Sequence, residues 1–307
     1  MAFFYALSVS MNMKWLPSIC AIFLSGAIAS ASAAATKVVL VAGSPSHGPG
    51  EHEYNAGCLL LKHCLDGVPE IESVVYTNGW PDNPDAFKGA DAIVLFMDGG
   101  AGYPILQDHR LQQIDALMKK GAGLACLHYA VEPTVQRGEK EFLDWLGGAY
   151  ELNWTVNPVW TADFKSLPDH PITRGVKPFA IRDEWYFHLR FRPDTGGLVP
   201  ILAAVPPPST MDRPDGPDSG NPAARQAVKR GDIQTLAWAY ERPDGGRGFG
   251  FTGAHYHVNW GNDNFRKIVL NAILWIAKAD VPENGVQSKV SAGDLARNLD
   301  RKEGETK

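Results

Sequence analysis

The sequence has few cysteines, and their spacing is not that of a disulfide-rich protein. Four occur in 307 residues, and Cys20 lies in an apolar amino-terminal segment. The others, Cys58, Cys64 and Cys126, are an odd number in separated positions, so we interpret them as small buried hydrophobic residues. A hydrophobic content of 45% is enough for a full core.

The sequence also lacks an excess of basic residues. Its 29 Lys and Arg residues are outnumbered by 34 Asp and Glu residues, which gives a formal net charge of −5. This balance argues against nucleic acid as a partner.

No apolar run has the length of a membrane span. The longest, residues 16–29, is shorter than the roughly 20 residues that a bilayer requires and is diluted by Gly, Ser and Pro. Met13 and Lys14 precede it, and Ala31, Ser32 and Ala33 follow it, which is the pattern of a secretory signal. We predict a signal peptide over residues 1–35, with Met13 as an alternative start, a periplasmic or secreted protein, and no membrane span after signal removal.

The periodicity of the remaining chain predicts an α/β fold. Buried strands at residues 37–42, 71–76, 92–97 and 124–127 are separated by helices at 52–65 and 109–120, an order that favours a mainly parallel sheet. Later strands at 198–205, 235–240 and 248–252 predict an antiparallel extension. We expect residues 206–222 to form a surface insertion or lid, and the polar tail 283–307 to be disordered.

Histidines fall where the predicted strands end. His128 directly follows the central strand, His47 follows the first, and His255 and His257 follow a late one. In parallel α/β sheets, ligands bind outside the carboxyl ends of the strands, so this placement indicates a site. The alternative is that each ring is a core or surface histidine satisfied by ordinary hydrogen bonds.

The segment 182–192 alternates apolar and polar residues and predicts a half-buried strand. Its polar face would present Glu184, Tyr186 and His188 together. His52 lies at the predicted start of a helix, where the helix dipole favours a neutral imidazole.

These residues suggest a nitrogen-rich site. We predict His47, His128, His255 and His257 as metal ligands, with zinc, manganese or iron as the best-suited divalent metals. Catalytic roles are predicted for His128, Glu184 and His255. Substrate-binding roles are predicted for His52, Tyr186, His188 and Trp260.

Two other chemistries fit poorly. Cys126 lies two residues before the position where class I glutamine amidotransferases carry their nucleophile, and the sequence has no Gly-x-Cys-x-Gly. Residues 44–50 lack the Ser/Thr-rich phosphate loop of a flavodoxin. We therefore expect no flavin and no nicotinamide cofactor.

An ordered set of motifs resembles the ThuA-like family, named for trehalose utilisation. The resemblance covers roughly residues 37–282 and rests on GSPSHGPGEHE at 43–53, GLACLH at 123–128, HPIT at 170–173, DE-x-Y at 183–186 and GAH at 253–255. It implies a three-layer, flavodoxin-like or class I glutamine amidotransferase-like fold over residues 36–282, with histidine in place of the catalytic cysteine. It also implies a role in the catabolism of trehalose or 3-keto-glycosides.

The predicted function is a carbohydrate-active enzyme that acts on a glycoside or keto-disaccharide by metal-assisted or histidine acid/base chemistry. The expected partner is a small-molecule carbohydrate, and a homo-oligomer is left open. The alternative is a noncatalytic sugar-binding or scaffold module.

Overall fold

The computed structural model describes residues 1–7 and 35–302. Contacts divide the chain into Met1–Ala33 and a compact unit, Ala34–Lys307, and the elements below belong to the second unit. Most of the predicted signal peptide lies outside the described residues. Within the described residues, no helix is both long and apolar enough to cross a bilayer.

Eleven strands and six α-helices are described. The strands are β1 (Thr36–Ala42), β2 (Ile71–Tyr76), β3 (Ala92–Phe96), β4 (Gly123–Leu127), β5 (Gly148–Ala149), β6 (Val159–Phe164), β7 (Phe179–Glu184), β8 (Arg190–Phe191), β9 (Leu198–Ala204), β10 (Gln234–Glu241) and β11 (Arg247–Phe251). The helices are α1 (Tyr54–Leu65), α2 (Arg110–Met118), α3 (Glu139–Leu146), α4 (Pro222–Arg230), α5 (Asp263–Ile276) and α6 (Ala292–Leu295).

Seven strands form the central sheet, in the order β2-β1-β3-β4-β11-β10-β9. The neighbouring pairs from β2 to β11 are parallel, whereas β10 pairs antiparallel with both β11 and β9. The predicted mainly parallel sheet with an antiparallel extension is therefore confirmed.

Helices cover both faces of this sheet. Alternate side chains of a strand point to opposite faces, so Leu40 and Phe96 belong to the core beneath α1 and α5, and Val41 and Leu95 to the core beneath α2 and α3. Because both faces are covered, β3 and β4 are buried along their whole length. The three-layer α/β fold is as predicted.

The carboxyl ends of four strands are aligned in register. Ala42 of β1 pairs with Phe96 of β3, Phe96 with Leu127 of β4, and Leu127 with Phe251 of β11. The segments that follow these four residues therefore leave the sheet at the same edge.

Two local predictions are wrong. Helix α1 begins at Tyr54, so His52 precedes the helix instead of lying in its first turn. The predicted strand 182–192 is broken, because β7 ends at Glu184 and only Arg190–Phe191 returns to strand. The intervening chain buries Phe187 in one core and Tyr186 in the other, whereas a half-buried strand would leave the Tyr186 face exposed.

The predicted disorder of the tail is also wrong for residues 283–302. Val286 is buried, and its amide donates to the Asn271 side chain at 2.8 Å. A capping box between Ser291 and Asp294 begins helix α6. Lys302 is buried as well, so this polar segment is held by specific contacts that its composition does not reveal.

Candidate functional site

The aligned strand ends bring distant residues to one place. The site combines the β1–α1 loop with the residues after β3, β4 and β11, and with Glu184 at the end of β7. The central group consists of His52, His128, Glu184 and His255, whose potential ligand atoms all lie within 4.8 Å of one another. Three of these four residues come from segments that follow the aligned strands.

His128 is fully buried and fixed by the backbone. Its Nδ1 donates to the carbonyl oxygen of Thr252 at 2.8 Å. Because a carbonyl can only accept, Nδ1 carries the proton and Nε2 presents its lone pair to the group. The residue is held at φ 54°, in the left-handed region that non-glycine residues seldom adopt.

His52 is fixed in a similar way by a carboxylate. Its Nδ1 lies 3.1 Å from Asp98 Oδ1, and the Tyr54 hydroxyl donates to the same oxygen at 2.5 Å. Burial opposes ionisation of Asp98, but hydrogen bonds from His52, Tyr54 and Ser46 outweigh it and lower the pKa of Asp98 to about 2. Burial lowers the pKa of His52 to about 3. His52 is therefore neutral, with Nε2 directed at the group.

His255 is positioned by Asp183. The buried Asp183 carboxylate accepts the backbone amides of Ala254 at 2.8 Å and His255 at 3.1 Å. The ring presents Nδ1 to the group, and its Nε2 lies 3.5 Å from Glu51 Oε1. Although burial opposes it, contact with Glu184 raises the pKa of His255.

Five of the six separations between the ligand atoms are close to those of a tetrahedral shell, and the sixth, between His52 and Glu184, is longer but within 4.8 Å. His52 Nε2 lies 3.0 Å from His255 Nδ1 and 3.1 Å from His128 Nε2, and the latter two nitrogens are 3.3 Å apart. Glu184 Oε2 lies 3.4 Å from His128 Nε2 and 3.3 Å from His255 Nδ1. Ligands about 2.0–2.1 Å from a tetrahedral metal are separated by about 3.3–3.4 Å, so this group fits a metal such as zinc.

Hydrogen bonding satisfies only part of the group. The rings of His52 and His128 use their Nδ1 protons elsewhere, so their Nε2 atoms both face inward as acceptors. The Tyr186 hydroxyl can donate to His128 Nε2 at 3.1 Å, and a proton on His255 Nδ1 can then serve His52 Nε2 or Glu184, but not both well. Burial opposes ionisation of Glu184, yet its contacts with His128 and His255 lower its pKa, so it faces the nitrogens as a carboxylate.

His47 lies beside this group rather than within it. Its ring centroid is 3.6 Å from that of His52, and its side chain is 41% exposed. Its Nδ1 contacts the Ser46 hydroxyl at 3.0 Å, and that hydroxyl donates to Asp98 at 3.0 Å. Burial lowers the pKa of His47, so this half-exposed ring is neutral at neutral pH.

The structure brings one of the predicted substrate-binding residues, Tyr186, into the site as a hydrogen-bonding side chain. Its hydroxyl lies 3.1 Å from His128 Nε2. His52, also predicted to bind substrate, is instead one of the four converging side chains. Its place among the four converging side chains was not predicted, because nothing in the local sequence shows that His52 precedes the helix and faces the other histidines.

Three predicted residues lie away from the group. His188 bonds the carbonyl of Trp154 at 3.0 Å and its ring is 4.2 Å from that of Trp154. Trp260 is buried in the core against Phe96 and Phe265. His257 begins a 3₁₀-helix at residues 257–261 and lines a separate apolar cavity, so the His-x-His spacing does not place both rings on one metal.

A cavity of about 150 Å³ opens onto the group. Its wall is formed by His47, by His52, Glu184 and His255 of the central group, and by six further polar side chains, which are Tyr129, Glu132, Tyr150, Asn157, Tyr186 and Asp218. Asp218 comes from the proline-rich insertion, and its carboxylate accepts the Tyr150 hydroxyl at 2.7 Å. The insertion therefore contributes to the site wall, which its composition did not predict.

Asp98 and Asp183 were also absent from the predicted site. Asp98 lies two residues after the end of strand β3, and this position near a strand end was the available signal for it. Asp183 immediately precedes Glu184 in the DE-x-Y motif, but its role depends on a fold contact 71 residues away, at Ala254.

Two solved structures share this fold. A protein described as thua-like from Bacteroides uniformis ATCC 8492 has a TM-score of 0.55 at 14% sequence identity, and the similarity covers 83% of this chain and 97% of that chain. One described in the same way from Parabacteroides merdae ATCC 43184 has a TM-score of 0.54 at 14% identity, covering 84% and 94%. No curated protein matches the chain.

A protein-family model provides the assignment. The model described as "ThuA: Trehalose utilisation" matches residues 66–276, which is more than half of the chain. The match includes His128, Glu184 and His255 of the central group, whereas His52 lies before its first residue. The resemblance seen in the motifs is confirmed, and the chain belongs to the ThuA family.

Proposed function

We propose that this protein is a periplasmic or secreted carbohydrate-active enzyme that acts on a neutral glycoside or keto-disaccharide, with a divalent metal held by His52, His128, His255 and Glu184. The observation that carries the proposal is the convergence of these four side chains at the edge of a polar cavity. Membership of the trehalose-utilisation family supports a sugar as the substrate.

The donor set favours particular metals. Three imidazole nitrogens and one carboxylate oxygen suit zinc, manganese or iron better than calcium or magnesium, which prefer oxygen ligands. Such a metal would polarise a carbonyl or hydroxyl oxygen of the sugar. The carboxylate of Asp98 and the carbonyl of Thr252 would then hold two of the imidazole ligands in the required tautomer.

His47 is the best-placed proton carrier outside the ligand group. It lines the cavity and is half-exposed. The Ser46 hydroxyl donates to Asp98, so His47 Nδ1 donates to Ser46 and Nε2 is left as an acceptor. A neutral imidazole in this position can accept a proton from a bound sugar and return it.

The charge of the cavity wall favours an uncharged substrate. Glu132, Glu184 and Asp218 contribute carboxyl groups, and the tyrosine hydroxyls at 129 and 150 add further hydrogen-bonding groups. Arg213 stands behind this wall, where it donates to the side chain of Asn157 and to the carbonyl of Asp218. Sugar hydroxyls can donate to the acidic wall, whereas a phosphate or uronate would be repelled.

The test combines metal analysis with a substrate panel. The purified protein is assayed for bound metal by elemental analysis, then incubated with neutral disaccharides and their keto derivatives, with and without chelator. Sugar phosphates serve as charged controls. His128→Asn removes a central ligand, and His63→Asn, on the exposed face of α1, is the matched control.

The outcomes separate the alternatives. We expect one metal per chain, turnover of a neutral sugar that chelator abolishes, and loss of both in His128→Asn alone. Turnover by the metal-free protein would show that the reaction uses histidine acid/base chemistry and not a metal. Binding without turnover would identify a noncatalytic sugar-binding module, and no binding of any sugar would refute the proposal.

A further inference from the structure

The carboxyl-terminal tail reaches the loop that carries two of the site histidines. We call residues 46–52 the histidine loop. The Lys302 ammonium donates to the carbonyl oxygens of Ser46 at 2.7 Å, Glu51 at 3.0 Å and His52 at 3.4 Å. Its side chain is only 2% exposed. All three N–H donors of this lysine are therefore available to the backbone of one loop.

Buried carboxylates accompany this ammonium. Glu53 Oε1 lies 3.7 Å and Asp300 Oδ2 3.8 Å from Lys302 Nζ. Glu53 also accepts the backbone amides of Gly50 at 2.9 Å and Asp300 at 2.7 Å. One carboxylate thus joins the histidine loop to the tail, and breaking the ion group would leave an uncompensated buried charge.

The histidine loop needs such support because its backbone is strained. His47 has φ 61° and His52 has φ 46°, in the left-handed region that is unfavourable for residues other than glycine. On one side, the loop is held by segment 255–257, since His52 N donates to His255 O at 3.0 Å and His257 N to Gly50 O at 2.9 Å. Lys302 holds it from the tail side.

The tail is itself anchored to the domain, so it can transmit this restraint. Val286 is bonded to Asn271 of α5, and Arg266 of the same helix donates to the Ser288 hydroxyl at 2.8 Å. Asn55 of α1 donates to Asp300 Oδ1 at 2.6 Å. The tail segment that carries Lys302 is thus fixed to both α5 and α1, which places Lys302 beside the loop.

We propose that Lys302 is a positioning residue, which binds the carbonyls of Ser46, Glu51 and His52 and thereby holds His52 against His128 and His255. The metal part of this inference rests on the proposed function. The restraint on the loop does not, because it follows from the backbone contacts alone.

The experiment compares Lys302→Met with Lys289→Met in the full chain. Methionine keeps an apolar stem but removes the three donors, and Lys289 is an exposed lysine of the same tail. Hydrogen exchange is followed by mass spectrometry in peptides that cover 44–54, 92–97 and 123–128. Binding of Co²⁺ is followed by its visible absorption, which reports the ligand geometry.

In Lys302→Met we expect exchange of the 44–54 peptide to rise about tenfold, with the two strand peptides unchanged. Co²⁺ affinity should fall by about tenfold or more, with an altered spectrum. Lys289→Met should match the wild type, and Lys302→Arg, which keeps the charge and donors, should recover part of the wild-type spectrum and loop protection.

Wild-type exchange of the 44–54 peptide in a folded Lys302→Met variant would overturn the proposal. If Lys302→Met does not fold, Lys302→Arg decides, because a guanidinium cannot reproduce all three bonds to Ser46, Glu51 and His52. Faster exchange of the 44–54 peptide, with the two strand peptides unchanged, supports the restraint, and exchange equal to that of the wild type refutes it. Absence of Co²⁺ binding by the wild type would refute the metal in the proposed function, while the exchange result would still decide the role of Lys302.

Discussion

His52 Nε2 lies 3.1 Å from His128 Nε2, although 76 residues separate the two histidines in the sequence. The other ring nitrogen of each histidine donates to an oxygen, of Asp98 and Thr252 respectively. Two lone pairs at this distance repel each other unless a cation or a hydrogen-bond donor lies between them. The role of each ring, and of the residue that fixes its orientation, can therefore be tested by separate substitutions.

Replacing His128 by Asn should abolish metal binding and activity with little loss of stability. The Asn amide can replace Nδ1 as the donor to Thr252 O, and Asn tolerates the left-handed backbone. It offers no counterpart of Nε2. His128→Ala should lose the same functions and in addition about 1–3 kcal/mol of stability, because the buried carbonyl loses its donor.

Metal analysis, activity and urea unfolding of the two variants check this prediction. Equal stability of His128→Ala and the wild type would show that the bond to Thr252 contributes nothing. Retained stoichiometric metal in His128→Asn would remove His128 from the ligand group.

The parallel half of the fold was predictable because its strands are continuous apolar runs. Strands β3 and β4 are buried on both faces, so all of their residues are apolar or small. From the ends of such strands, the convergence of His128 and His255 also follows. The break after Glu184 could not be read in this way, because an alternating pattern is equally satisfied when Tyr186 and Phe187 enter different cores.

The remaining parts of the site depend on contacts between distant segments. His257 has the spacing of a metal ligand, but the 3₁₀-helix that it begins turns it towards the tail. The order of the tail depends on a few buried groups such as Val286 and Lys302, which a polar composition conceals. Neither outcome is encoded by the residues nearby.

Replacing Asp98 by Asn should weaken metal binding by about 10–100-fold without unfolding the protein. The amide has the size of the carboxylate and can still accept from His52 or Tyr54, but it lacks the negative charge that strengthens the imidazole as a ligand. Titration with Zn²⁺ by calorimetry measures the change. Asp85→Asn, at an exposed position, is the control, and equal affinities for the two variants would contradict a supporting role for Asp98.

Replacing Asp183 by Asn should reduce stability by about 2–4 kcal/mol and disturb the site. The buried carboxylate accepts backbone amides from Ala254 and His255 and also the Asn259 side chain at 3.0 Å. In Asn, the NH₂ group would face one of these donors. Urea unfolding and metal titration measure the two effects, with Asp163→Asn on the exposed face of β6 as the control. A loss of stability equal to that of the control would refute the prediction.

Replacing Glu132 by Gln should change how stability depends on pH. Burial, together with the charges of Asp218 and Glu184, raises the pKa of Glu132 to about 8. The folded state therefore binds a proton that the unfolded state releases above about pH 4.5. Stability must fall as pH rises from about 4.5 to 8, because the unfolded state binds fewer protons over that range.

Gln is neutral at every pH, so this part of the pH dependence should disappear in Glu132→Gln. The stability difference between the variant and the wild type should move in favour of the variant on going from pH 5 to pH 8, by an amount on the order of a few kcal/mol. Thermal unfolding at both pH values, with chelator present so that metal binding does not contribute, measures it. Glu72→Gln, at an exposed position of β2, is the comparison. The same difference at pH 5 and pH 8 would mean that Glu132 is already ionised in the folded protein at pH 5, and that its wall of the cavity carries a further negative charge towards the substrate.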